Sequence, residues 1–318
     1  MIFYFCPDLD LRSSGIRLLY QHVESLNRHG YEAAILHTAT GFRVADMPSV
    51  PIRYLSTPNT LSMNDYVVIP EGVPEAMRLF KDSPLNLIAI ALNWKYIYTM
   101  LTDFEDWRAF GIQKVLVNSF FVGDYIRWVM NIPTVDTVIG VNPLLYKYEP
   151  EKKVAQVSFL HRKATCFKEL RRVLYSRNPA FIEKIKWRGM HGLNEADYAR
   201  EVCQSRVFLN LSQAEGFPHS MMEAMRAGTL VAGYNSVGGQ RELIGSGPEQ
   251  NCVLAENLDY VTLAQKLEPL LLDVLRGDMT QWNQIIHNGI EYSKKFTPEE
   301  QERTVVSAWK EILGRNDE

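Results

Sequence analysis

An α/β protein with two doubly wound parallel sheets is what this sequence predicts, on three observations. Short apolar runs alternate with amphipathic helical stretches almost from end to end, the pattern of parallel strands covered on both faces by helices. The alternation runs twice, interrupted at 142–153 by a segment with two prolines and mixed charge that reads as a linker. The length of 318 residues suits two domains at roughly 150 residues each.

The first pass opens on an apolar run at 1–6, expected as a buried strand. A polar loop follows, and a helix is expected at 16–29, with Ile16, Leu19, Tyr20, Val23 and Leu26 on one face and Gly30 as its stop. Further strands are expected at 33–37, 52–55, 66–69, 87–92, 115–117 and 138–141, with helices at 74–81, 98–110 and 121–130. The second pass gives strands at 156–161, 185–189, 207–211, 230–234 and 252–255. Its helices are expected at 166–177, 195–203, 219–227, 258–276 and 280–294, followed by a last one at 298–313. No repeat or low-complexity tract interrupts either half. The domains are accordingly set at 1–142 and 153–296, with a terminal helical segment at 297–318. Two such sheets joined by a short linker are expected to face a central cleft, with ligands at the carboxyl ends of the strands.

Composition narrows the function. Hydrophobic residues make up 46% and charged residues 22%, and the net charge is −3, which argues against a protein that coats nucleic acid or an anionic membrane. Cys6, Cys166, Cys203 and Cys252 are far apart, without a CxxC pair, so scattered thiols are expected rather than a zinc site or disulfide framework. The opening Met1-Ile2-Phe3-Tyr4-Phe5-Cys6-Pro7 lacks the basic start and long apolar core of a signal peptide. No apolar run approaches the roughly 20 residues of a membrane span. The expected location is cytoplasmic, with peripheral contact at the inner membrane face left open.

Several loops carry chemistry-bearing residues. After the first strand, Asp8-Leu9-Asp10-Leu11-Arg12-Ser13-Ser14-Gly15 contains no GxGxxG, which disfavours a dinucleotide dehydrogenase. Gly15 either lets a substrate approach the backbone at a helix start or eases a tight turn. Asp8 and Asp10 form a DxD that reads as solvated loop acids rather than a metal site. Glu71 follows the strand at 66–69 and Asn93 the strand at 87–92; each either touches a ligand in the cleft or caps its loop.

The most informative stretch is Glu215-Gly216-Phe217-Pro218-His219-Ser220-Met221-Met222-Glu223-Ala224-Met225-Arg226-Ala227-Gly228. It follows an apolar strand, so Glu215 is expected at a strand's carboxyl end. Gly216 permits a tight backbone, and Pro218 suits a helix start. Two carboxylates eight positions apart, on a loop and the next helix, can converge on one polyhydroxylated ligand. The helix start adds free N–H groups and a positive dipole end for phosphate. Met221, Met222 and Met225 read as core.

This stretch resembles the EX7E motif of the glycosyl transferases group 1 family, retaining nucleotide-sugar enzymes with the GT-B fold of two Rossmann-like domains. Val237-Gly238-Gly239-Gln240-Arg241-Glu242 resembles that family's Gly-Gly-x-x-Glu turn. The resemblance is sharp over 210–245 and architectural elsewhere. It implies a metal-independent, retaining transfer of a sugar from a nucleoside-diphosphate donor to a glycan, lipid or other hydroxyl acceptor, with no cofactor. It places Glu223 on the donor ribose, Glu215 on the donor sugar, and Gly216, Phe217, Pro218, His219 and Ser220 along sugar and diphosphate. The family's Arg and Lys against the diphosphate map onto Arg162, then Lys163, then Lys168; this chain lacks the glycine that usually precedes them. Gly15, Glu71 and Asn93 fall on the acceptor side, and no first-domain histidine is carried over. The resemblance also implies that the last helix packs back on the first domain.

Two other readings remain at this stage. One is another GT-B enzyme, such as a sugar-nucleotide epimerase. The other is a non-catalytic module binding an acidic polymer through the segment 162–188, where nine Lys or Arg stand against Glu169 and Glu183; nucleic acid as that polymer is disfavoured.

Overall fold

The computed structural model describes residues 1–10, 13–102 and 104–315. Leu11 and Arg12 of the first loop, Asp103 within the helix expected at 98–110, and 316–318 of the expected terminal segment lie outside the described residues. The chain forms two compact units. One comprises Met1–Ile139 together with the terminal segment from Pro298, the other Gly140–Thr297.

The first unit contains β1 (Ile2–Phe5), α1 (Ser14–Arg28), β2 (Ala33–His37), β3 (Ile52–Tyr54), β4 (Tyr66–Pro70) and α2 (Pro74–Phe80). It continues with β5 (Asn86–Ala91), α3 (Trp94–Thr99), β6 (Ile112–Val117), α4 (Phe120–Met130) and β7 (Thr134–Asp136). All seven strands pair in parallel in the order β3-β2-β1-β4-β5-β6-β7. The order reverses between β1 and β4, the switch point where ligands of such sheets bind. One face buries Phe3, Phe5, Val67, Ile69, Ala89, Val115 and Val117 under α2 and α4.

The chain's last helix also belongs to this unit. Val305, Ala308 and Trp309 are buried on it. The Trp309 indole N–H donates to the Tyr4 hydroxyl at 2.9 Å, and that hydroxyl lies 3.2 Å from His22 Nδ1. Burial holds the His22 pKa down to about 3. The ring is therefore neutral, and its Nδ1 shares a hydrogen bond with the Tyr4 hydroxyl. Burying an aromatic side chain of this size contributes about 1.5–3 kcal/mol.

The second unit contains β8 (Val154–Leu160), α5 (Phe167–Arg177), α6 (Ala180–Glu183), β9 (Lys186–Met190), α7 (Glu195–Gln204) and β10 (Ser205–Asn210). After these come β11 (Ala214–Glu215), α8 (His219–Arg226), β12 (Leu230–Asn235), β13 (Val237–Gly238), β14 (Cys252–Glu256), α9 (Tyr260–Arg276) and α10 (Asn283–Ser293). The terminal helix of the first unit is α11 (Pro298–Ile312). The parallel order β14-β12-β10-β8-β9 reverses at β8, so its switch point lies between β8 and β10. Two glycines make this packing possible. At Gly233 (φ +148°) an added Cβ would stand 1.9 Å from the Asn210 carbonyl oxygen. At Gly228 (φ +62°) it would enter the Tyr148 ring, and there the Gly228 and Thr229 amides close α8 on Met225 O and Ala224 O, a Schellman stop.

Three expectations are corrected. The helix at 98–110 is instead α3, which ends at Thr99, and a separate 3-10 turn at Trp107–Phe110. Asn93 caps α3 early, Phe104 takes φ +66°, and the Glu105 carboxylate is held by Arg78 and the Thr102 N–H. The strand at 138–141 is irregular chain, because the Val138 N–H goes to Thr304 Oγ1 and the Val141 N–H to Phe296 O; the edge strand is β7. The linker at 142–153 is part of the second unit: Tyr146 is buried in its core.

Candidate active site

Short-range chemistry places the two glutamates. The chain leaves β10 at Asn210 and enters β11, which pairs in parallel with β13 so that Glu215 lies opposite Gly238. A buried network fixes this crossing. Asn210 Nδ2 donates to Gln240 Oε1 at 2.8 Å, Gln240 Nε2 to Tyr234 O at 2.7 Å, and Ser236 Oγ to Ser212 O at 2.5 Å. Gly238, at φ +112° and ψ −147°, occupies backbone space essentially reserved for glycine. The Gly-Gly turn thus holds the loop that carries Glu215.

Lys163 arrives from β8 on the 3-10 turn His161–Lys163 and makes an ion pair with Glu215. Glu215 is buried and Lys163 about a quarter exposed. The pair sits at the switch point between β8 and β10. A buried carboxylate stripped of its cation is costly, so the two charges depend on each other unless a ligand replaces one.

Glu223, one turn into α8, is also buried. Its Oε1 accepts from the Tyr146 hydroxyl at 2.8 Å and lies 3.6 Å from His219 Nδ1. The other ring nitrogen of His219 lies 3.2 Å from Gly140 O, which fixes the imidazole. Tyr198 packs edge-on against Tyr146, with centroids 6.4 Å apart. Burial, and next the Glu223 charge, raise both phenols well above their ordinary range, so they remain donors. The Tyr198 hydroxyl faces the same carboxylate. The α8 N-terminus has no side-chain cap, although the His219 and Met221 amides already donate to Phe217 O and Pro218 O.

The remaining second-unit residues divide. Gly216, Pro218 and Ser220 are buried in the loop and first turn. The Phe217 ring packs on Phe296 at 5.3 Å. Arg162 is exposed beside Lys163, and its charge reaches Tyr198. Lys168 is exposed on the first turn of α5, and no contact ties it to the Lys163–Glu215 pair among the described residues. The basic segment 162–188 is partly neutralised: Arg177 makes a two-pronged pair with Glu268 at 3.1 Å on both prongs, and Arg188 pairs with Glu201 at 3.3 Å.

In the first unit, Glu71 and Asn93 come together. Glu71 Oε1 accepts the Asn93 N–H at 3.0 Å, and burial pushes the Glu71 carboxyl up to about 7. The Asn93 side chain caps α3. Gly15 is a packing glycine: an added Cβ would stand 3.3 Å from Leu92 Cδ1. Asp8 is occupied by the end of β2 and the loop after it, accepting the Thr38 and Ala39 N–H groups at 3.0 and 2.7 Å and lying 3.2 Å from His37 Nδ1. The sequence gave no sign of Tyr146 or Tyr198, whose segments look like a linker and an ordinary helix. Trp94, beside Asn93 in the segment that follows β5, packs edge-on against Phe121 and Tyr125 at 5.9 Å. Among the described residues, no group of His, Cys, Asp or Glu has the arrangement of a metal site, and no helix is long and apolar enough to cross a membrane.

Comparison with known proteins bears on the fold and the class of enzyme. Residues 188–288 match the model of the family glycosyl transferases group 1. A protein of Actinobacillus pleuropneumoniae serotype 7 (strain AP76) described as alpha-1,6-glucosyltransferase is 20% identical over 295 residues, covering 90% of this chain and 87% of the relative. Among solved structures, sucrose-phosphate synthase from Thermosynechococcus elongatus superposes with a TM-score of 0.71 at 13% identity, over 99% of both chains. Anabaena HepE in complex with UDP-glucose gives 0.68 at 12% identity, over 98% of this chain and 99% of that one. At such identities the solved structures establish the fold, which is GT-B.

Proposed function

Starting from a glycosyltransferase of GT-B architecture, we propose that this chain transfers a hexosyl group from a nucleoside-diphosphate sugar to a hydroxyl acceptor with retention at the anomeric carbon. The observation that carries the reading is the pair of buried glutamates, Glu215 on Lys163 and Glu223 on Tyr146, at the carboxyl-terminal switch point of the second sheet. UDP-glucose is the first donor to test, because the solved neighbour HepE binds it and the curated relative is described as a glucosyltransferase.

In this reading Glu223 accepts hydrogen bonds from the donor's ribose hydroxyls. Tyr146 holds one of its oxygens, and the carboxylate has lone pairs left for the ligand. The donor diphosphate attracts Lys163 away from Glu215, which frees Glu215 to accept from sugar hydroxyls. As the bond from the anomeric carbon to the diphosphate oxygen breaks, its electron pair goes to the diphosphate. Arg162 and Lys163 stabilise that growing charge. The acceptor oxygen bonds to the same face of the anomeric carbon, and its proton passes to the departing diphosphate. These cations make a metal unnecessary, and the Asp8 carboxylate is already occupied by backbone N–H groups. Glu71 and Asn93 belong to the acceptor side.

Thermal-shift titrations with UDP, GDP, TDP and ADP test the donor site, because a ligand that binds only the folded state raises its melting temperature by mass action. We expect one nucleotide to stabilise the parent saturably, and Glu223→Gln to need roughly 10- to 100-fold more of it, on the scale of one charge-assisted hydrogen bond. An equal response of parent and variant to all four removes Glu223 from the site.

A further inference from the structure

The second unit has a cavity of about 260 Å3 that none of the donor residues line. It lies at the opposite ends of the strands. Lys153 immediately precedes β8, and Arg206 is the second residue of β10. The donor residues follow the same strands, about 20 Å away along β8 at 3.3 Å per residue.

The lining is basic and incompletely satisfied. The Nε and Nη1 atoms of Arg206 are buried and make no hydrogen bond within the protein. Gly277 stands close behind the guanidinium: a Cβ there would be 3.7 Å from Nη2. Lys153 donates to Thr229 Oγ1 and stands 6.0 Å from the centre of the Tyr148 ring. It makes no ion pair among the described residues, and burial holds its pKa down to about 7. The one acid in the lining is Asp278, whose carboxylate accepts from the N–H and hydroxyl of Thr280 at 2.9 and 2.6 Å. Asn283 stands at the rim, where the 3-10 turn Thr280–Trp282 runs on into α10 and the Asn283 N–H donates to Thr280 O.

A guanidinium with buried, unused N–H groups and a second cation around one cavity form a receptor for a tetrahedral anion. We propose that this cavity binds the phosphate group of a small molecule, either free phosphate or a phosphate monoester of about triose size. The planar fork of Arg206 suits two phosphate oxygens, and Lys153 supplies a point charge. The site is separate from the donor site and lies where occupancy would brace β8, β10 and α10 together.

The test uses the full chain at constant ionic strength, with thermal shift and calorimetry against inorganic phosphate, glycerol phosphate and glycerol. We expect saturable binding of a phosphate-bearing probe and none of glycerol. Whichever of inorganic phosphate and glycerol phosphate binds more tightly identifies the source of the group. Arg206→Gln should weaken that binding roughly 10- to 100-fold. Arg206→Gln alone could disturb β10, so Asn283→Asp is the second variant. Asn283 is exposed at the rim, so an acid there leaves β10 untouched while repelling the anion. Asn283→Asp should melt close to the parent temperature without phosphate and bind it at least several-fold more weakly. Arg162→Ala should leave phosphate binding intact. Absence of phosphate binding at millimolar concentration overturns the proposal. So does binding that Arg162→Ala abolishes and Arg206→Gln and Asn283→Asp leave untouched, which would assign the anion to the donor site.

Discussion

Replacing Glu71 by Gln should make the first unit more stable, and only above acid pH. Glu71 is buried at the end of β4, and its carboxyl is raised by burial from 4.5 to about 7. A raised folded-state value means that the folded chain holds the proton more tightly than the unfolded one. The associated stability is therefore fully present below about 4.5 and is lost as pH rises through 7. A gap of about 2.5 units at 1.36 kcal/mol each amounts to about 3 kcal/mol. Gln keeps an oxygen for the Asn93 N–H and carries no charge, so it escapes the loss. Parent and variant should melt within a degree or two of each other near pH 5. At pH 8.5 the variant should melt about 6–12 °C higher, at 2–4 °C per kcal/mol for a unit of this size. The assay is fluorescence-detected melting across that range at fixed ionic strength. Trp94, Trp107, Trp128 and Trp309 all report on the first unit. Other titrations are common to both proteins and cancel in the difference. A pH-independent difference, or a variant less stable at pH 8.5, would refute the reasoning. If Glu71 serves the acceptor, turnover should fall in the same variant.

Other outcomes follow from single contacts. Trp309→Ala removes a fully buried indole and its bond to Tyr4, and should destabilise the first unit by about 3–5 kcal/mol in urea unfolding; an unchanged midpoint contradicts the role given to α11. Arg162→Ala should lower turnover about 10²-fold and weaken nucleoside-diphosphate binding, because its cation faces charge that grows as the glycosidic bond breaks. Steady-state kinetics at saturating donor checks this, and normal turnover removes Arg162 from the mechanism. Activity should survive EDTA, and loss in chelator with recovery on adding Mn²⁺ or Mg²⁺ would show that the chain's own cations are insufficient.

What the sequence shows and what it hides follow from the range of the interactions. Parallel strands buried on both faces are continuous apolar runs, so β1, β2, β4, β8, β10 and β12 stand out. The Glu215 and Glu223 positions are legible because glycines, a proline and a helix start surround them within a few residues. The pairing of Lys163 with Glu215 is not legible. It joins residues 52 positions apart, and basic residues are numerous in that segment. Tyr146 is hidden for a different reason. Its segment carries two prolines and mixed charge, the composition of a linker, yet the Tyr146 ring is buried with residues of α8 and its hydroxyl is held by Glu223. The break in the helix expected at 98–110 comes from Arg78 holding Glu105, a contact across 27 positions that local periodicity cannot report.

The central claim is donor-dependent transfer with retention through the Glu215 and Glu223 site. Its most direct measurement is time-resolved proton NMR of the anomeric signal, using the α-linked UDP-hexose whose nucleotide stabilises the protein. The account expects the first product formed, by transfer or by slow hydrolysis, to carry the α configuration, with the signal falling sharply in Glu223→Gln. A β product appearing first, or an α product formed equally fast by the variant, would contradict it.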